Sequence, residues 1–208
     1  MTVFSRRDFS VLLASAAMLA AMPIVSPAGA QGGDPAVATV QDFYDALVAQ
    51  MKKGGPAKAR YDLLKPAVEK AFDLPGMTAT AVGPGFAALP EADRHALTDA
   101  FERMTIANYV KNFDSFDGEK FTVEPQSIAR PPSTDKLVKS ALKSGADTIA
   151  FNYRMHQAGG AWKIEDIYLN GNISQMAQRR SDFSSTFASG GAAGLTRKIN
   201  ALADQQLG

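Results

Sequence analysis

Residues 148–169 constrain this chain more than any other stretch. Ile149, Phe151, Tyr153 and Met155 alternate with Thr148, Ala150, Asn152 and Arg154, a strict period of two. Gly159-Gly160 then supplies a two-residue hairpin turn. Trp162 and Ile164 resume the alternation, but Ile167 and Leu169 fall on the opposite parity. One extra residue must be absorbed, which predicts a bulge at Glu165-Asp166. A bulged hairpin twists strongly, so a curved antiparallel sheet is expected. Two earlier segments can join it. Phe121 and Val123 alternate with polar residues before Pro125, and Val138, Ser140 and Leu142 oppose Lys139 and Lys143. The sheet is read as about four strands.

Helical patterns flank this run. Asp34-Pro35 reads as an N-cap with Pro at the first helical position. Val37, Val40, Tyr44, Leu47 and Met51 then share a face. Tyr61, Leu64, Val68 and Phe72 keep the helical period across Pro66, where a break or kink is expected. A short helix or turn follows over 74–84. Pro90-Glu91 opens a long helix to about Phe113, with one stripe of Leu97, Phe101 and Met104 and a roughly opposite one of Ile106, Val110 and Phe113. A helix apolar on two sides must be covered on both. Ile173, Met176, Arg180, Phe183 and Phe187 mark a helix that Gly190-Gly191 ends, and Leu195, Ile199 and Leu202 mark the last. The expected fold is α+β: the curved sheet with N- and C-terminal helices packed on one face, enclosing an apolar cavity.

Residues 1–30 read as an address. Arg6-Arg7 precedes an uncharged apolar run from Val11 to Ala21, and Ala28-Gly29-Ala30 is a small-x-small cleavage site. The run is too short for a bilayer core, which needs about 20 residues. A cleaved signal peptide is expected, of the twin-arginine type, or alternatively a general secretory one. That leaves one domain over 31–208. The chain has no Cys, which excludes disulfides and a lipidated Cys anchor. A soluble periplasmic protein is the expectation. Without Arg6, Arg7 and Asp8, 20 basic and 20 acidic residues remain. A neutral domain is poorly suited to nucleic acid, whose binding is dominated by phosphate neutralisation.

No catalytic constellation stands out. His95 and His156 read as ordinary surface residues, and two distant His without Cys make a poor metal site. No Gly-rich phosphate loop joins a strand to a helix. The acidic candidates are Glu165 and Asp166 on the last strand, and Asp166 is read as the candidate general base, as in a small cone-shaped isomerase or dehydratase. Its competing role is a carboxylate that caps or bridges at the bulge.

Several segments carry a family resemblance. They are Phe151-Asn152-Tyr153-Arg154-Met155, Trp162-Lys163-Ile164-Glu165-Asp166-Ile167, Asn170-Gly171-Asn172-Ile173-Ser174, Arg179 to Phe183 and Gly194-Leu195. With Phe72-Asp73-Leu74, Met77, and Phe101-Glu102 through Tyr109 to Phe116, the chain resembles the MlaC-like phospholipid-binding, or toluene-tolerance auxiliary, proteins, including the hopanoid-associated HpnM branch. Two departures are visible. Asn172-Ile173 stands where the family places Val- or Ile-Ser directly after the Gly, and Arg179-Arg180-Ser181 stands where it carries Asn-Tyr-Arg.

The resemblance implies a periplasmic carrier, not an enzyme. It would shuttle a phospholipid or hopanoid-type lipid between an inner-membrane MCE-domain ABC transport complex and an outer-membrane lipoprotein complex. No metal or cofactor is implied, only bound lipid as cargo. The residues expected to line the cavity are Phe101, Met104 and Tyr109 on the long helix, and Ile149, Phe151, Tyr153, Trp162, Ile167 and Leu169 on the strands.

Overall fold

The computed structural model describes residues 33–208, so the leader expected at 1–30 lies outside the described residues. Five helices and seven strands follow in the order α1 (Pro35–Lys53), α2 (Ala57–Ala71), α3 (Leu74–Val82), a 3₁₀ turn (Pro84–Ala88), α4 (Glu91–Asn112), β1 (Lys120–Val123), β2 (Ile128–Ala129), β3 (Lys136–Val138), β4 (Ser140–Ser144), β5 (Asp147–Ala158), β6 (Ala161–Leu169), β7 (Ile173–Ser174) and α5 (Gln175–Leu207). Among these residues no helix is long and apolar enough to cross a membrane.

The seven strands trace four main passes of chain. Val138 lies opposite Tyr153 and Ala141 opposite Ala150 in one unbroken register, so β3 and β4 are halves of a single pass interrupted at Lys139. β1 pairs with β4 and β2 with β3, but two extra residues accumulate between β1 and β2, where Pro125 cannot donate to the ladder. The fourth pass, β6, lies on the other edge of β5 and carries the short β7. All pairings are antiparallel. Arg154 opposes Asp166 while Met155 opposes Ile164, leaving Glu165 as the extra residue of the bulge.

Local chemistry starts and stops the helices. Asp34 caps α1 by accepting from the Ala36 N–H at 3.0 Å, Asp73 caps α3 through the Gly76 N–H at 3.2 Å, and Ser174 caps α5 through the Ala177 N–H at 3.0 Å. Of the break or kink expected at Pro66, the break does not occur, and α2 runs through that position. Pro66 and Asp62 are both exposed, so water can hydrate the carbonyl that Pro66 leaves without an N–H. α5 is two helices broken at Gly191, whose φ of 58° and ψ of −160° suit glycine.

α4 is covered on both sides, as its two stripes require. Leu97, Phe101, Met104, Ile106 and Val110 are all buried, against α2, α3 and α5. Its C-terminal end is capped from α1 and α2. Buried Arg60 donates to the Val110 carbonyl at 2.5 Å, and Gln50 donates to the Phe113 carbonyl at 2.7 Å. The α2–α3 junction is stitched to the sheet edge: Phe72 bridges Ile164 in parallel, and the Asp73 N–H donates to the Ile164 carbonyl at 2.9 Å.

One expectation needs correcting. His95 is exposed, but His156 is not an ordinary surface residue. Its Nε2 is 2.9 Å from Asp73 and its Nδ1 is 3.7 Å from Glu165. Arg154 joins the same cluster through Asp135 at 2.7 Å and Glu165 at 2.5 Å. The bulge draws Glu165 towards both β5 side chains, which the sequence pattern alone does not show.

Candidate functional site: an apolar cavity between sheet and helices

The cavity follows from how unequally the helices cover β5. Ile149, Phe151, Tyr153 and Met155 face the same way. Tyr153 and Met155 are fully buried, while Ile149 remains 37% exposed and Phe151 partly so. Over the half-covered end opens a cavity of about 370 Å³. Its walls come from α4, from β4–β6, from Met77 on α3 and from the first turns of α5.

Phe101, Met104, Tyr109, Ile149, Phe151, Ile167 and Leu169 lie on these walls. Tyr153 and Trp162 do not. Tyr153 sits deeper along β5, its ring centre 5.9 Å from that of Tyr44. Trp162 is at the far end of β6 from Leu169, roughly 20 Å away at about 3.3 Å per residue. There the Lys136 ammonium lies 4.7 Å from its ring centre, and its backbone carbonyl accepts from Thr39 at 3.2 Å. Sharing a sheet face is thus insufficient to share a cavity.

Other wall residues escaped the sequence reading. Thr105, Asn108, Asn112 and Phe113 follow Tyr109's face of α4, and that helical spacing was the available signal. Leu142 comes from β4, and Gln175, Met176 and Arg179 from the start of α5. Met77 counted in the sequence only towards the resemblance and had no periodic signal for the cavity, because only α3 docking against α4 and α5 brings it there.

The walls are chemically quiet. The Thr105 hydroxyl donates to the Phe101 carbonyl at 2.8 Å, and Asn108 Oδ1 accepts from Gln206 at 2.6 Å. Burial pushes the Tyr109 hydroxyl far above its ordinary pKa, so it stays neutral. Among the described residues Arg179 is the one charged side chain on the wall, and no carboxylate or imidazole lines it. Burial lowers the Arg179 pKa, with Asp182 working in the opposite direction.

Asp166 serves the fold instead. Its Oδ2 accepts from the Ser174 hydroxyl at 2.6 Å, and its Oδ1 accepts from the Ile167 N–H at 2.7 Å and the Met176 N–H at 3.1 Å. It is buried and is not among the cavity residues, so it is no general base for anything bound there. Among the described residues no cluster of three His, Cys, Asp or Glu could hold a metal ion. The site can enclose an apolar molecule, and its walls present no acid–base pair.

Residues 38–201 match the family model described as MlaC protein. The fold is similar to that of the phospholipid-binding protein from Ralstonia solanacearum, solved in complex with a phospholipid. That likeness has a TM-score of 0.73 at 20% identity and covers 84% of this chain and all of the other. No curated protein matches the sequence.

Proposed function

The chain belongs to the MlaC family, and we propose that it binds a phospholipid by its acyl chains and carries it through the periplasm. Its delivery points would be an inner-membrane MCE-domain ABC transport complex and an outer-membrane lipoprotein complex. The observation that carries this reading is the cavity itself: apolar side chains from both layers, no acid–base pair, and polar Asn108, Asn112 and Gln175. The phospholipid held by the structurally similar Ralstonia protein supports it.

The cavity's volume lies at the lower end of the range for small-molecule sites, about 300–1,000 Å³. Met77, Met104 and Met176 give its walls room to adapt, since unbranched thioethers repack easily. Sheltering two acyl chains of about 30 methylenes from water is worth roughly 25 kcal/mol. A bilayer shelters them equally well. The cavity must therefore nearly match the bilayer, and transfer must occur in a docked complex that keeps the tails out of water.

Native mass spectrometry of the mature protein taken from the periplasm, followed by solvent extraction, tests the reading. One phospholipid per chain is the expected result. A polycyclic lipid would instead assign a hopanoid-type cargo. A bare mass that stays bare after incubation with membranes would refute the carrier function.

A further inference from the structure

We propose that Arg179 is the anion-binding residue of the cavity, and that it grips the phosphodiester of an acyl lipid. The proposal rests on the carrier reading above and adds to it a basis for head-group selection. Among the described residues Arg179 is the one charged side chain on a wall otherwise of apolar, amide and hydroxyl groups. The guanidinium groups of Arg60, Arg94, Arg103 and Arg154 all donate hydrogen bonds within the protein. Arg179 donates none among the described residues, and of the arginines that donate none (Arg130, Arg179, Arg180 and Arg197) it is the one on the cavity wall. Its one ionic neighbour is Asp182, on the same helix and at 3.9 Å, the outer limit of an ion pair.

A guanidinium presents five N–H donors in a fork that matches paired anionic oxygens. Here the fork is half-buried and unused, an arrangement that an incoming anion would complete. Asn108 fits the same role. Its Oδ1 is occupied by Gln206, which leaves its amide N–H groups as donors. The neighbouring Arg180 plays a different part: its guanidinium lies over Gly83, where an added Cβ would come within 3.1 Å of Nε.

The shared chemistry is an anionic oxygen pair on an acyl chain, which a phosphodiester or a fatty-acid carboxylate could supply. The test loads lipid-stripped mature protein from vesicles containing dioleoyl phosphatidylglycerol, dioleoylglycerol or oleate, and reads retention by native mass spectrometry. Arg179→Gln should lower phosphatidylglycerol retention about tenfold or more and leave dioleoylglycerol unchanged, since a hydrogen bond to a charged group is worth this much. Arg179→Lys should fall between, as a point charge without the fork. A loss confined to oleate would overturn the phosphodiester assignment in favour of a carboxylate. Equal retention of every lipid by wild type and Arg179→Gln would overturn the anion site while leaving the carrier intact. Failure of wild type to load any lipid would remove both. Arg179→Gln breaks no internal hydrogen bond, so its circular dichroism should match wild type.

Discussion

The Ser174 hydroxyl donates to Asp166 Oδ2 at 2.6 Å, which ties the bulged strand β6 to the first turn of α5. That turn carries Gln175, Met176 and Arg179 onto the cavity wall. Asp166→Ala should destabilise the protein by about 2–4 kcal/mol, because it strips partners from a helix start and from a half-buried hydroxyl. Urea unfolding measures this. Asp166→Asn should recover part of the loss. A residue acting only as a catalytic base would show no such stability effect.

Phe151→Asp places a charge on the apolar wall, where an unpaired carboxylate is costly. Lipid co-purifying with the protein should fall at least about tenfold. Tyr153→Phe provides the contrast. Tyr153 is buried beside Tyr44 and is not itself on the cavity wall, so its substitution should shift stability by about 1 kcal/mol and spare lipid retention. A folded Phe151→Asp protein that still carries lipid would refute the cavity assignment.

Asp34 makes stability depend on pH. Burial disfavours its charge, but bonds from Ser127 and Lys136 outweigh this and hold its pKa well below the usual carboxylate range. A depressed folded pKa means the unfolded chain binds the proton first as pH falls. The stabilisation is therefore complete above the ordinary carboxylate pKa, about 4, and is lost progressively below it. Asp135, held down by Arg154 against its own burial, acts in the same direction. Asp34→Asn should cost about 1–3 kcal/mol at pH 7. Denaturation curves at pH 7 and pH 3 should show that difference narrowing in acid.

Arg60→Met should destabilise by about 3 kcal/mol, since it leaves the Val110 carbonyl at the end of α4 without its side-chain donor. Lysine should substitute only in part, because Arg60 reaches three carbonyls at once, those of Val110, Phe113 and Gly55. Thermal unfolding distinguishes the two variants.

Much of the fold was legible because it rests on period and punctuation. The Ile149–Met155 alternation, the Gly159-Gly160 turn and the parity switch at Glu165-Asp166 each have one local solution, and the structure adopts it. The Asp34-Pro35 start of α1 and the two-sided α4 are of the same kind. Strand number was less legible. Breaks at Lys139 and Pro125 divide passes that alternation alone joins. Pro66 misleads for a related reason: whether it breaks a helix depends on whether water reaches the freed carbonyl, and burial is not a local property.

The sequence by itself determined the element types, the bulge and the class of side chain available to a cavity, because these depend on residues within a few positions of one another. Which residues share the cavity was decided only in three dimensions. Phe151 and Tyr153 have the same parity on one strand, yet one meets the cavity and the other the closed core, since the helices cover only part of β5. Arg179 and Arg180 are adjacent in sequence, but about 100° apart around the helix. That angle turns one into the cavity and the other over Gly83.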